Sequence, residues 1–251
     1  MFTGKQREKL SKDGGSYIDV ILKDHIEKVI LLLYGLPRKA ELLDIVSNDN
    51  KDYLKLKEEV EDRVYSMILS QSLSNLQDRE EEDEIVGFMF QEVNGTNIAE
   101  SIVKHIATLS DEIRAYIELS IYFNITVSKG LMILLNNLKN AYSTDLIRKG
   151  YDEIKNPATK IIKARGMTVR DGEYKTSIAN LKRLATYSIL GAITFRQISD
   201  FIRNGAIGWV SHRGSSYPCS FCDSKVGFHP ISDHDFPPYH GNCYCHITPQ
   251  Y

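Results

Sequence analysis

The sequence predicts a mainly α protein: an irregular multi-helix body followed by a small C-terminal module of loops and short β strands. Three observations predict it. Apolar residues recur at helical spacing in most segments up to residue 203. After Gly205 that periodicity stops and turn formers take over, with five of the seven prolines at or beyond Pro218. All four cysteines, and five of the seven histidines, fall between His212 and His246. The expected organisation is a flexible N-terminal tail over 1–15, a helical body over 16–205 and a Cys/His module over 206–251.

Each element has its own signal. Residues 1–15 are polar and end on Gly14-Gly15, a breaker, which predicts a loose tail. Ile18, Ile21, Leu22, Ile26, Val29, Ile30 and Leu33 make one helical stripe that Gly35 and Pro37 end. Helices follow at about 38–47 and 52–76. The acidic run Asp78–Glu84 reads as a solvated helix start, its carboxylates near the positive end of the dipole. Asn94-Gly95 marks a turn, and helices are expected near 97–108, 111–125, 128–140 and 144–154. Ser110 is a candidate N-cap for the second of these, with Asp111 and Glu112 in its first turn. Asn156-Pro157 opens a short helix to about Ala164, and Gly166–Gly172 reads as a loop or hairpin. The longest periodic segment spans 174–203, with Ile178, Leu181, Ala185, Ile189, Ala192, Phe195 and Ile202 on its stripe. Gly191 inside it predicts close packing, and Asn204-Gly205 predicts its end. Ile207-Gly208-Trp209-Val210 reads as a short strand carrying the only tryptophan.

Composition is that of an ordinary globular protein, with 42% apolar and 25% charged residues over 251 positions. A net charge of −2 gives no global field toward nucleic acid or membrane. No apolar run reaches the length of a membrane span and the start lacks a signal-peptide core, so the chain is expected to fold in a cytoplasm. The basic residues Lys160, Lys163, Arg165, Arg170, Lys175, Lys182 and Arg183 are the densest positive stretch, and solvated helix faces account for them.

The chemistry-bearing pattern is Cys219-Ser-Phe-Cys222, seventeen residues, then His240-Gly-Asn-Cys243-Tyr-Cys245-His246. A Cys-x-x-Cys turn presents two thiolates to one ion, and a distant second cluster supplies the remaining ligands. Metal binding then substitutes for apolar burial in a short, core-poor segment. The candidate ligands are Cys219, Cys222, His240, Cys243 and Cys245, five donors for four places of a structural Zn2+. Cys219 and Cys222 are the surest pair. Cys243 and Cys245, two apart, share a face if extended, and His240 is either a ligand or an outer partner. His229, His234 and His246 are weaker candidates, expected to be mostly exposed. A redox Cys-x-x-Cys normally opens a helix within a βαβ unit, an alternation this sequence lacks. No His-Glu-x-x-His, Gly-x-Ser-x-Gly or phosphate-binding glycine loop occurs, so no catalytic residue is assigned.

Trp209, Cys219-x-x-Cys222, Gly227, Pro237-Pro238, His240-x-x-Cys243-x-Cys245 and Pro249 follow one order. That order resembles the C-terminal signature of the phage Mu F-like head morphogenesis family, over about forty residues. Gly241 stands where that family favours proline, Tyr244 where it has arginine, and His212-Arg213 where it often has an acidic residue. The ligand pattern is untouched by these departures. The resemblance implies a non-enzymatic minor head protein in the virion, assembled in the bacterial host cytoplasm. It also implies oligomeric association with phage portal or capsid proteins, contact with packaged DNA and no membrane. The competing expectation is a zinc-containing toxin or nuclease effector of the same family, drawing on His229, His234 and the aspartates around them.

Overall fold

The computed structural model describes residues 3–34, 39–47, 49–74, 79–90, 97–122, 126–127, 131, 177–215, 217–240 and 243–251. Apart from Leu131, the expected helix at 128–140 lies outside them, as do those at 144–154 and 156–164, the 166–172 loop and the Asn94-Gly95 turn. The described chain is mainly helical and ends in a small antiparallel sheet, as the sequence predicts. The helices are α1 (Gly4–Leu33), α2 (Lys39–Ile45), α3 (Lys51–Leu73), α4 (Arg79–Phe90), α5 (Ile98–Tyr122) and α6 (Ser177–Arg203). Then come β1 (Gly208–His212), the short α7 (Ser220–Asp223), β2 (Gly227–Pro230) and β3 (His246–Gln250). No described helix is long and apolar enough to cross a membrane.

Helix starts follow local capping chemistry. Asn50 Oδ1 accepts from the backbone N–H of Asp52 (3.1 Å) and Tyr53 (3.0 Å) at the head of α3. Asn97 and Glu100 form a reciprocal capping box on α5, Glu100 N donating to Asn97 Oδ1 at 2.8 Å and Asn97 N to Glu100 Oε2 at 3.3 Å.

Two expectations are corrected. The tail predicted over 1–15 is helical from Gly4, because Thr3 and Gln6 make a capping box: Thr3 N donates to Gln6 Oε1 (2.8 Å) and Gln6 N to Thr3 Oγ1 (3.4 Å). The buried face of α1 runs Gly4, Arg7, Ser11, Gly14, Ile18, and its first half carries small and polar residues in place of an apolar stripe. Gly14 breaks nothing; a Cβ there would lie 3.0 Å from Ile189 Cδ1, so the glycine admits a close neighbour. The second correction concerns Ser110, which caps no helix. It lies buried inside the continuous α5, its Oγ donating to the Ile106 carbonyl at 3.1 Å.

The chain divides into two compact units. Unit 2 comprises Ile18–Val64 and Ile102–Leu181. Its buried residues include Leu22, Ile26 and Val29 of α1, Tyr53 and Val60 of α3, and Ile106, Ile113 and Ile117 of α5. Ion pairs Lys28–Glu59 and Arg63–Asp24 link α1 to α3. Unit 1 comprises Met1–Tyr17, Tyr65–Ser101 and Lys182–Tyr251. The expected boundary near residue 205 therefore marks a change of texture, since residues 206–251 share unit 1 with both earlier segments.

Within unit 1, α6 ends in a Schellman turn. Gly205 adopts φ +74°, Ala206 N donates to the Phe201 carbonyl (2.9 Å) and Gly205 N to the Ile202 carbonyl (3.0 Å). The chain then enters β1, the centre of a sheet ordered β2-β1-β3. Trp209 lies opposite His229 on β2 and Pro249 on β3. Pro249 is compatible with that ladder because β3 is an edge strand. Fully buried Trp209 packs with Ile198 and Phe201 of α6, Ala206 and Ile247, and with the half-buried Ile231 and Phe236. Gly191 performs the role its position predicts: a Cβ there would come within 2.9 Å of Phe88 Cζ, and Phe88 stacks on Phe195 at 5.3 Å.

Candidate metal centre

Beside the Trp209 core lies a second buried cluster made of Cys222, Tyr239, Cys243 and Cys245, with Cys219 packed against it. Two stretches build it. Cys219 precedes α7 in extended conformation (φ −150°, ψ 99°), and its sulfur accepts the Cys222 N–H at 3.5 Å, as a helix-capping group does. That turn places Cys222 on the inner side. Tyr239 anchors the second stretch from beneath, its hydroxyl donating to Ser211 Oγ of β1 at 2.8 Å. The Cys243 N–H then closes a turn onto the His240 carbonyl at 3.0 Å, and Cys245 immediately precedes β3.

The five side chains expected to be ligands are brought together. His240 Nε2 lies 3.0 Å from Cys222 Sγ and 3.4 Å from Cys219 Sγ. Cys222 Sγ lies 3.7 Å from Cys243 Sγ. A tetrahedral zinc with Zn–S near 2.3 Å holds its sulfurs about 3.8 Å apart. The donor atoms form two triads, Cys219–Cys222–His240 and Cys222–Cys243–Cys245, each within 4.8 Å internally. Cys222 belongs to both, so it is the pivot of any single-ion arrangement. The cluster could hold a metal ion in this geometry. All four cysteines are free thiols.

Hydrogen bonding around the sulfurs fits thiolate ligands. Backbone N–H groups of Cys222 and Phe221 point to Cys219, those of Tyr239 and Cys245 to Cys243, and that of Gly214 to Cys245. Without an ion the protons are unequally shared. The hydrogen bond from Cys243 and the Gly214 N–H bring Cys245 down to about 6 against the opposing effect of burial, and the same partnership with Cys245, together with burial, pushes Cys243 far up. Burial pushes Cys222 up to about 12. A bound divalent cation would replace the protons these sulfurs compete for.

Arg213 braces the first stretch, donating to the Cys219 carbonyl at 3.1 Å and to the Tyr217 carbonyl, with Asp223 at 3.3 Å from its Nε. Gly214 is there for space: a Cβ would lie 1.6 Å from the Tyr244 carbonyl oxygen. The sequence offers no signal for that close approach beyond the glycine itself.

The weaker histidine candidates stand apart from the cluster, and two are less exposed than expected. His229 faces Trp209 across the β1–β2 pair, their rings stacked 5.8 Å apart at 3°. Its Nδ1 lies 2.7 Å from Asp233 Oδ2 and its Nε2 2.9 Å from the Lys225 carbonyl, so both ring nitrogens are engaged. His246 is half-buried because its ring stacks on His212 at 5.1 Å across the β1–β3 pair. His234 is exposed, as expected.

No protein-family model, characterised protein or solved structure matches the chain.

Proposed function

We propose that this chain is a phage minor head protein acting in head morphogenesis, associated with the portal vertex or capsid interior, whose C-terminal module is locked by a structural Zn2+. The ordered run from Trp209 to Pro249 carries the reading, through its resemblance to the Mu F-like signature. The geometry supports it in one respect: the motif residues serve a single local construction. Trp209 fills the apolar half of the module, and the cysteines with His240 fill the metal half. Donors outnumber the four places of a tetrahedral ion and are mostly thiols, the composition of a closed structural centre. The ion holds together a segment that buries little apolar surface, and the protein's work is assembly, through contacts with portal or capsid subunits.

The toxin or nuclease reading drew on His229, His234 and neighbouring aspartates. Stacking on Trp209 and the two bonds of its ring give His229 a structural task, so no observation favours that reading.

Mass spectrometry of purified heads from the phage encoding this chain tests the proposal. The chain is expected at few copies per head and bound to isolated portal rings. Its absence from heads, together with no binding to portal or capsid subunits, overturns the reading.

A further inference from the structure

Arg7 is among the largest side chains the protein hides completely, and it lies more than two hundred positions before the cysteines it sits near. It is wholly inaccessible to solvent. Its Nη1 donates to Thr194 Oγ1 at 2.8 Å and its Nη2 to the Leu190 carbonyl at 3.2 Å, both neutral groups, while Nε has no partner. Among the described residues no carboxylate lies within ion-pair distance of it. A guanidinium stays protonated in a protein interior, and an isolated buried charge is strongly unfavourable unless an anion compensates it. Burial lowers its pKa to about 10, so it remains a cation at neutral pH.

The surroundings supply the anion. As thiolates, Cys243 and Cys245 raise the pKa of the guanidinium against the effect of burial. Backbone stacking explains how the first turns of α1 reach them. A Cβ on Gly4 would sit 2.3 Å from the Gly214 carbonyl oxygen, and one on Gly214 would sit 1.6 Å from that of Tyr244. Two glycines thus let α1, the loop after β1 and the ligand segment approach at backbone contact. One turn further along, Ser11 Oγ lies 3.5 Å from the Tyr244 hydroxyl and 3.1 Å from Thr186 Oγ1 of α6. The start of α1 is therefore a wall of the cluster.

We infer that Arg7 is the buried countercharge of an anionic, thiolate-rich metal centre, a positioning residue that stabilises the loaded site without touching the ion. The inference rests on the metal reading of the Cys/His cluster. A divalent ion with three thiolates and one imidazole carries one net negative charge, and with four thiolates two, so either ligand set leaves an anion facing Arg7. Arg213 also faces this charge, but it is shared with Asp223 at 3.3 Å. Arg7 has no such carboxylate. Metal loading and burial of Arg7 then favour one another: the ion draws thiolates into the site, and the thiolates compensate the cation.

The test uses the full chain as Arg7→Met, Arg7→Lys and Thr194→Val, with Co2+ and Zn2+ as probes in a competition assay against a chromophoric chelator. Wild type is expected to take up Co2+ with a thiolate charge-transfer band. Arg7→Met should lower Zn2+ affinity about 10–100-fold, the usual consequence of losing a group that supports metal ligands. Arg7→Lys should retain most of the affinity, and Thr194→Val, which removes a neutral bond and keeps the charge, should leave it unchanged. Metal-free Arg7→Met should melt close to metal-free wild type, since the unloaded cluster, with protons on most of its sulfurs, compensates the cation less than the loaded one does. A purely structural Arg7 predicts the reverse, with a lower apo melting temperature and unchanged Zn2+ affinity, and that result overturns the inference. Should Arg7→Met fail to fold, a 10–100-fold loss in Arg7→Lys equally overturns it, because charge is then not what matters. If wild type itself binds no Co2+, the metal reading and this inference fall together. If wild type binds and Arg7→Met binds as tightly, only the inference falls.

Discussion

Cys222→Ser removes the sulfur shared by both ligand triads, and its consequence is local. The last part of unit 1 contains two adjoining clusters with different sources of stability. In the first, Ile198, Phe201, Trp209 and Ile247 are between 0% and 8% exposed. Burying side chains of that size contributes about 1.5–3 kcal/mol each, so this cluster persists without a metal. The second consists of the cysteines and Tyr239, and its small thiols offer little apolar area. There a bound ion would supply the stability. At a free metal concentration a thousandfold above Kd, binding adds about 4 kcal/mol, equivalent to about a thousandfold in an opening equilibrium. Hydrogen exchange followed by mass spectrometry reads this directly. Cys222→Ser, or wild type stripped by a chelator, should exchange about a thousandfold faster over 213–223 and 239–245. Protection of β1 around Trp209 and of α6 should change far less. Equal exchange in loaded wild type and Cys222→Ser would refute the division into a metal-held and an apolar half. So would retention of Zn2+ affinity by the variant.

Other perturbations have equally defined outcomes. Gly214→Ala forces a methyl to within 1.6 Å of the Tyr244 carbonyl oxygen, so the ligand segment must shift; Zn2+ affinity and melting temperature should both fall, measured by chelator competition and calorimetry. Trp209→Ala empties the centre of the apolar cluster and should destabilise unit 1 by about 3–5 kcal/mol in urea titrations, with unit 2 protection retained. Glu112 is fully buried, its carboxylate receiving the Ser177 N–H (2.8 Å) and hydroxyl (2.6 Å) at the start of α6. Burial raises its pKa from 4.5 to about 7, with the Ser177 bonds opposing. Between those two values the folded chain binds more protons than the unfolded one at this site, so its contribution to stability falls as pH rises. At about 1.4 kcal/mol per pH unit, the decline across the window is about 3 kcal/mol. Glu112→Gln should therefore be more stable than wild type at pH 8 and nearly equal at pH 4.5. His25 and His105, held down to about 4 by burial, act in the opposite sense but are common to both proteins and cancel in the difference.

The Cys/His cluster was legible because Cys-x-x-Cys and a second thiol-rich stretch are the spacing that brings donors together where they could hold one ion. The helices were legible where apolar residues mark the buried face, as in Ile18–Leu33. No such stripe marks Gly4–Gly14, where the buried positions are Gly, Arg, Ser and Gly. The signal there is capping chemistry, Thr3 with Gln6 three positions on, with no apolar run directly after it to mark a helix. Ser110 misled for the converse reason: a serine followed by two acids looks like a helix start, yet its hydroxyl satisfies itself on the preceding turn. Arg7 was illegible in principle. A lone arginine in a polar segment reads as solvated, and only the tertiary stacking of Gly4, Gly214 and Tyr244 shows which anion it faces.

That stacking has a consequence for how the protein folds. Unit 2 draws on Ile18–Val64 and Ile102–Leu181, whereas unit 1 needs Met1–Tyr17 and Lys182–Tyr251 together. The bond from Arg7 to Thr194 spans 187 residues and that from Ser11 to Tyr244 spans 233. Contacts of such separation incur the loop-closure entropy before any stabilisation returns, so they form late. The pairing of Lys28 with Glu59 spans only 31 residues. Refolding from urea should therefore protect α1 beyond Ile18 and α3 up to Val64 before residues 4–14. With metal withheld, the lag before protection of residues 4–14 should lengthen, because the ligand segment that closes over Arg7 is then unfixed, while protection of Ile18–Val64 should appear at the same rate. Pulse-labelling exchange distinguishes the two segments. Simultaneous protection of residues 4–14 and 18–64 regardless of Zn2+ would show that the start of α1 folds with unit 2 and waits for no metal.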